Sequence, residues 1–376
     1  AIGVQGNDQC PSCGTGRITG RGVALRLVIA DCGTPLLSIC KMESPLLVHG
    51  GLRVRWPSAA CQERTLSYQK TACRKALHLW GKMPECIPVY HFDCKDFKES
   101  FMDTFKLKPW LSRWNLIPDG TPFITHTSQL YPVKTAAHGI KAMLKFTDAL
   151  DEQAGNALMA WWEGNGAAQV IAHENEAILL SRATGSSSLS AMSRGDKDDV
   201  ACHILCMTAN QLHSCAKRPF PQLTPLHEWF NPLKPAALKY GGILTRCAEI
   251  SEELLSSPRD VVVLHGDLHH GNVLDFETSG WLAIDPKGLI GERGFDFANI
   301  FTNPDLGNPV PPVAAVPETF KQRLSIVTRM ADLDRERLLK WIIAWCGLST
   351  AWSLSSNDTV STTIKVAELA MTELER

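Results

Sequence analysis

The sequence predicts an α+β protein of two lobes, a small β-rich one followed by a mainly helical one, preceded by an atypical cysteine-rich segment. Three observations predict it. Between residues 121 and 180, three strand-like runs, a helix and two more strand-like runs follow one another. Beyond residue 198 the dominant period becomes helical. Composition also breaks near residue 101. Residues 1–101 hold eight of the 13 cysteines and carry 13 Lys+Arg against 8 Asp+Glu, a net of +5; the remainder carries 25 against 31, a net of −6. The expected divisions are therefore 1–101, 102–182 and 183–376.

The 376 residues are enough to bury a core without staples or metals. With 44% hydrophobic and 20% charged residues, the chain is neither disordered nor a coiled coil. No run of 18 apolar residues occurs, so no membrane partner is expected. A net charge of −1 argues against a nucleic-acid-binding polycation. With no secretory signal, a cytoplasmic location and reduced cysteines are expected.

In the first segment, Val23–Ala30 reads as a strand and Ser67–Trp80 as a short basic helix. Cys10-Pro-Ser-Cys13 looks like one knuckle of a zinc ribbon, but tetrahedral zinc needs four ligands. No second Cys-x-x-Cys follows, and His91 and Cys94 would complete the set only by distant pairing. The segment reads as an appendage, with a zinc-binding nucleic-acid module as the alternative. Met102, or less naturally Met42, is the expected start of the recognisable part.

In the second segment, Thr121–Thr127, Leu130–Thr135 and Ile140–Phe146 read as strands. A helix from Asp151 to Glu163 stops at Gly164-Asn-Gly166, and short strands follow at Ala168–Ala172 and Ala177–Leu180. Gly185 to Gly195 is Ser-rich and reads as a loop. Asp199–Cys215, Leu238–Leu255 and Leu338–Leu348 read as helices, with Val261–Leu264 a buried strand. Ile364, Ala367, Met371 and Leu374 mark the apolar stripe of a terminal helix.

The chemistry concentrates in Leu264-His265-Gly-Asp267-Leu-His269-His270-Gly-Asn272-Val-Leu. Asp267 and Asn272 are five apart on a loop between apolar runs, and Trp281-Leu-Ala-Ile-Asp285 brings a second acid 13 residues after Asn272. Phosphoryl transfer uses such a set. One carboxylate orients the acceptor hydroxyl and takes its proton, while a carboxylate and an amide oxygen hold Mg2+.

His-Gly-Asp-x-x-x-x-Asn resembles the aminoglycoside phosphotransferase form of the protein-kinase-like fold. Gly280-Trp-Leu-Ala-Ile-Asp-Pro-Lys-Gly-Leu-Ile-Gly-Glu-Arg-Gly-Phe-Asp-Phe-Ala-Asn-Ile-Phe-Thr-Asn-Pro304 is similar to streptomycin 6-phosphotransferases, of the aminoglycoside/hydroxyurea resistance kinase family. Glu152-Gln-Ala-Gly, Trp161–Ala168 and Trp341–Trp352 extend the likeness, which covers residues 102–376 and none of 1–101. The resemblance implies a small β-rich N-lobe, a helical C-lobe, and ATP and Mg2+ as cofactors. It further implies phosphorylation of a small-molecule aminoglycoside, streptomycin at its 6-hydroxyl, conferring resistance.

Residue by residue, the resemblance makes Asp267 the catalytic base and Asn272 and Asp285 the magnesium ligands. Lys145 takes the place of the strand lysine that contacts nucleotide phosphates, and Glu152 that of its partner, with Asp148 as rival. A glutamate in a first helical turn also suits the helix dipole. The phosphate-covering turn falls on Thr127-Ser128-Gln129 without a Gly-rich loop, and Ser128 is the candidate cap. Adenine is expected beside Ser181 and Ala183, read by backbone groups. His265 reads as a loop-shaping residue; His269 and His270 look like a metal pair but read as loop structure or substrate-edge contacts rather than zinc ligands. Streptomycin is cationic, so carboxylates are expected in its pocket. Glu228, Glu292, Asp296 and Asp305 are the candidates, Asp296 having a loop brace as its other reading. Trp345 and Trp352 read as pocket wall or core. Competing readings are a kinase for another small hydroxylated compound, hydroxyurea included, and a non-catalytic nucleotide-binding protein.

Overall fold

In the computed structural model of the chain, the described residues are 4–6, 14–20, 23–29, 35–39 and 107–376, without 126–127, 148, 216–218, 308 and 357. They fall into two units, Ala1–Lys108 and Pro109–Arg376. The described residues of the first unit form an antiparallel sheet of β1 (Val4–Gly6), β2 (Gly14–Gly20), β3 (Val23–Ile29) and β4 (Pro35–Ile39), in that order. The expected strand at Val23–Ala30 is β3. The Cys10/Cys13 knuckle, His91, Cys94, the Ser67–Trp80 helix, Thr127 and Asp148 lie outside the described residues.

The second unit opens with residues 109–113 in a helix and continues into an antiparallel sheet. Its strands are β5 (Leu116–Pro118), β6 (Phe123–Ile124), β7 (Gln129–Thr135), β8 (Lys141–Phe146), β9 (Val170–Glu174) and β10 (Ala177–Ser181). The order is β5-β7-β8-β10-β9, with β6 also paired to β7. Alternation buries Ala142, Leu144 and Phe146 of β8, and Tyr131 faces Leu144 across the β7 register. β5 was not expected, because three residues are too short to display a period.

The helix Leu150–Trp162 follows β8 and buries Leu158, Met159 and Trp162. Its Gly155 packs so closely on the chain that a Cβ there would stand 1.9 Å from the Pro286 carbonyl oxygen. Glu163 then turns left-handed (φ 51°), and Gly164 and Gly166 end the helix as expected.

Beyond Ser181 the unit is mainly helical. Leu189–Arg194 is a helix, not the loop that its serine content suggested. Ser188 caps it by accepting the Ala191 N–H, so the serine acts as a start signal rather than a breaker. Asp198–His213 follows. The single helix expected over 238–255 is two, Leu233–Tyr240 and Ile243–Ser256. Gly241 and Gly242 separate them with φ of 63° and 61°, a conformation a helix interior does not admit.

Pro317–Ala331, Arg335–Ser356 and Ser361–Leu374 complete the helices. Arg335–Ser356 is buried on every side from Leu338 to Ala351 apart from Lys340, so it shows almost no amphipathic signal. The terminal helix buries Val366, Ala367 and Ala370, while Ile364, Met371 and Leu374 are only partly covered. Between the helices, β11 (Thr224–Pro225), β12 (Val261–Leu264) and β15 (Leu289–Glu292) form one small sheet. β13 (Val273–Asp275) and β14 (Trp281–Ala283) form a hairpin.

Arg323 locks this part together. It is fully buried, and its guanidinium donates to Asp198 Oδ2 (3.0 Å) and Oδ1 (2.6 Å), Ser193 Oγ (2.9 Å) and the carbonyls of Ile300 (2.7 Å) and Asn303 (2.6 Å). The planar fork suits such multiple pairing.

Candidate active site

β12 delivers the chain to His265, and Asn272 ends the loop where β13 begins. β14 runs back and stops two residues before Asp285. The two strands thus bring both acids and Asn272 to neighbouring loops, tied by the Ile284 N–H to the Asn272 carbonyl at 2.9 Å. Asp285 has φ 60°, a left-handed position that aspartate tolerates better than most residues.

Asp296 braces the first loop. Its carboxylate accepts the backbone N–H of His265 and of Gly266, both at 2.8 Å, and lies 2.9 Å from His213 Nε2. The His265 ring is wholly buried and stacked on Trp162. Its Nδ1 accepts the Asp267 N–H (3.2 Å), and its Nε2 lies 2.9 Å from the Ile284 carbonyl. Those two partners suit one neutral tautomer, with the proton on Nε2. Burial lowers the His265 pKa and outweighs the pull of Asp296 and Asp267, keeping the ring neutral.

Asp267 is held by two amides. Asn299 Nδ2 donates to Oδ1 at 2.9 Å, and Asn272 Nδ2 donates to Oδ2 at 3.3 Å and to the backbone carbonyl at 2.9 Å. The side chain remains 30% exposed, so it is fixed without being sealed. Burial would raise its pKa, but His269 and Lys287 hold it below the usual value. Behind it, Asn303 and Thr302 donate to Asn299 Oδ1 at 2.8 and 3.3 Å, and Trp345 Nε1 donates to Thr302 at 3.0 Å. Trp345 is a core residue wired to Asp267 through Thr302 and Asn299; it also meets Trp352 edge-on.

Facing this loop is a ring of alternating charges. Lys145 on β8 donates to Glu152 Oε2 at 2.5 Å and to Asp285 Oδ1. Lys287 donates to Glu152 Oε1 at 2.7 Å and to Asp285 Oδ2 at 3.3 Å. Each carboxylate thus gives one oxygen to each lysine. Burial opposes ionisation of Asp285, but Lys145 and Lys287 prevail and hold its pKa well below the usual range. Burial likewise opposes the charge on Lys287, yet Asp285 and Glu152 raise its pKa.

The remaining expected residues divide. Ser128 Oγ is buried without a hydrogen-bond partner among the described residues, while its backbone N–H and carbonyl are engaged by Thr125. Ser181 Oγ accepts the Gln169 N–H at 3.1 Å, joining β10 to the end of β9, and Ala183 follows half-buried. His269 Nδ1 accepts the Gly271 N–H, a loop-shaping role, whereas buried His270 has no partner at either ring nitrogen among the described residues. No cluster of three or more His, Cys, Asp or Glu fit for a metal occurs among the described residues.

Three of the four acids expected in a substrate pocket are spent internally. Glu292 accepts from Arg337, Trp341 and the Arg259 N–H. Asp305 accepts the N–H groups of Val313, Ala314 and Ala315. Asp296 is the brace described above. All three are at most 3% exposed and present no carboxylate to a ligand. Glu228 alone of the four keeps an exposed side chain. Sequence reading also missed Lys287, Asn299 and Arg323. For Lys287 a signal existed: a cation two residues beyond a strand-end acid.

The chain matches the aminoglycoside/hydroxyurea antibiotic resistance kinase family over residues 113–357. It is 50% identical over 242 residues to a streptomycin 3''-kinase of Klebsiella pneumoniae, covering 64% of this chain and 90% of that one. It is 30% identical over 270 residues to a streptomycin 6-kinase of Streptomyces griseus, covering 68% and 85%. Among solved structures, an amicoumacin kinase complexed with AMP-PNP and Ca2+ superposes with a TM-score of 0.51 at 15% identity, covering 74% and 95%. No helix among the described residues is long and apolar enough to cross a membrane.

Proposed function

The chain belongs to the aminoglycoside/hydroxyurea antibiotic resistance kinase family, and on that premise we propose that it transfers the terminal phosphoryl group of ATP to a hydroxyl of streptomycin. One observation carries this reading: the Lys145–Glu152–Asp285 cluster and the amide-held Asp267 meet at two adjoining loops. In the proposed reaction, Asp267 takes the proton of the acceptor hydroxyl. The hydroxyl oxygen bonds to the terminal phosphorus, the bond to the bridging oxygen breaks, and its electron pair leaves on ADP. The depressed pKa of Asp267 keeps it in the proton-accepting form at neutral pH.

The residues fit a nucleotide and a divalent cation. The buried, unpartnered Ser128 hydroxyl suits a phosphate oxygen, and Lys145 is anchored by Glu152 to meet the phosphates. Asn272 commits its amide nitrogen to Asp267, leaving its oxygen to join Asp285 as a hard-cation ligand pair. Mg2+ bound there would neutralise charge on the phosphates. Ser181 and Ala183 would flank the adenine, and Glu228 is the candidate carboxylate for the cationic acceptor.

Identity of 50% with a 3''-kinase against 30% with a 6-kinase favours the 3''-hydroxyl over the expected 6-hydroxyl as the acceptor position. The test is streptomycin-dependent ADP release by the purified protein with Mg-ATP, followed by NMR assignment of the phosphorylated carbon. Phosphate on 3'' is expected. Phosphate on 6 would restore the first expectation, and ATP binding without streptomycin-dependent turnover would overturn the substrate.

A further inference from the structure

The charge ring holds one more cation than a single nucleotide-contacting lysine requires. We infer that Lys287 is a second phosphate-contacting residue, which touches the terminal phosphoryl group during transfer while Lys145 holds the phosphates nearer the nucleoside. This rests on the ATP-dependent reading above.

Three features place Lys287 there. First, its backbone N–H donates to the His265 carbonyl at 2.7 Å, which joins its main chain to the Asp267 loop. Second, its stem lies against that loop: a Cβ on Gly266 would stand 3.1 Å from Lys287 Cβ. Lys145 instead projects from the centre of the β-sheet, on β8. Lys287 therefore spans the interval between the Lys145–Glu152 pair and Asp267, which the migrating group must cross. Third, its partners are exchangeable. Glu152 serves both lysines with one oxygen each, and Asp285 does the same. Were Asp285 to hold a divalent cation, Lys145 would retain Glu152, which it meets at 2.5 Å, and the more exposed Lys287 would be left to take phosphate oxygens in place of Asp285.

During transfer the acceptor oxygen bonds to the terminal phosphorus, the bridging bond breaks toward ADP, and the acceptor proton passes to Asp267. Lys287 makes or breaks no covalent bond. It offsets negative charge on the non-bridging oxygens, where preorganised donors act most strongly. The rival role is a brace that only positions Glu152 and Asp285.

The two roles separate on equilibrium nucleotide binding. Mg-AMP-PNP and Mg-ADP affinities are measured by calorimetry for the unmodified full chain, Lys287→Met and Lys287→Arg, with Lys287→Gln replacing Lys287→Met if that variant does not fold. A contact to the terminal phosphoryl predicts that Lys287→Met lowers the AMP-PNP:ADP affinity ratio about tenfold and kcat about 10²–10³-fold, with Lys287→Arg recovering much of both. An unchanged ratio, whether both affinities fall together or neither moves, would overturn the proposal. If the unmodified chain binds neither nucleotide, the ATP-dependent reading itself fails.

Discussion

Lys145 and Arg323 are both buried cations, 6% and 0% exposed, yet their partners differ in kind. Arg323 spends its whole fork on one aspartate, one serine and two backbone carbonyls, all of which belong to the fold. Lys145 and Lys287 share two carboxylates, of which Asp285 is still about a third exposed. The first network is internal: the Arg323 guanidinium is fully buried and each of its donors is met by a group of the fold. On the proposed reading the second is exchangeable, because phosphates and a divalent cation would carry the charges needed to substitute for its internal partners. Buried charge alone therefore does not mark a functional site; a partner that can be traded for a ligand does.

The sharpest break of this contrast lies beside the exchangeable ring. Asp267→Asn should lower kcat by about 10²–10⁴ while leaving the melting temperature nearly unchanged, checked by steady-state kinetics and thermal denaturation. Arg323→Met should do the reverse. Removing one side of a closed buried pair leaves Asp198 unpaired and should cost about 3–5 kcal/mol of stability by urea unfolding, without raising the KM for ATP in the protein that remains folded. Lys145→Met should weaken ATP binding roughly tenfold to a hundredfold, the range for losing hydrogen bonds to charged groups, as read by calorimetry on the folded protein.

Two milder tests refine the contrast with groups that belong to neither network. His265 is buried neutral with its pKa lowered, so the unfolded chain binds the extra proton first as pH falls. Its contribution to stability is complete above about pH 6.5 and declines below it. Asp285, with its pKa depressed, has its full contribution above the usual carboxylate range and starts to lose it only as pH falls through that range, where the unfolded chain takes up the proton first. The melting temperature should therefore begin to drop near pH 6 rather than near pH 4. His270→Leu should change stability by no more than about 1 kcal/mol, because the ring it removes has no partner among the described residues to leave orphaned. A large loss there would mean that His270 belongs to a network after all.

What the sequence disclosed follows the same division. Asp267, Asn272 and Asp285 lie within 19 residues, and the strands that present them are short apolar runs, so the meeting of the two loops was legible. Lys145 and Glu152 are seven residues apart across one strand-to-helix turn, and their contact was legible too. The Lys287–Glu152 contact spans 135 positions and the Arg323–Asp198 pair 125, distances over which no local pattern operates. Glu292 and Asp305 misled for the same reason, whereas the loop-brace reading of Asp296 is what the structure shows. In sequence an acid that binds a ligand looks like one that accepts a backbone N–H, and only the fold tells them apart. Local signals also competed. The serines at 186–188 read as a loop although Ser188 starts a helix, and helical periodicity ran across Gly241-Gly242 where the backbone turns.

Gly155 carries a consequence for reading resistance from genomes. Its missing side chain lets the helix bearing Glu152 lie directly on the Asp285-Pro286-Lys287 turn, where even one methyl group would collide with main chain. An allele with alanine at 155 would keep every charged residue of the site and pass any motif scan. Its two halves of the charge ring would nonetheless be pried apart. A surveillance rule that counts acids and lysines would report a working gene, whereas one that also asks for glycine at this position would not.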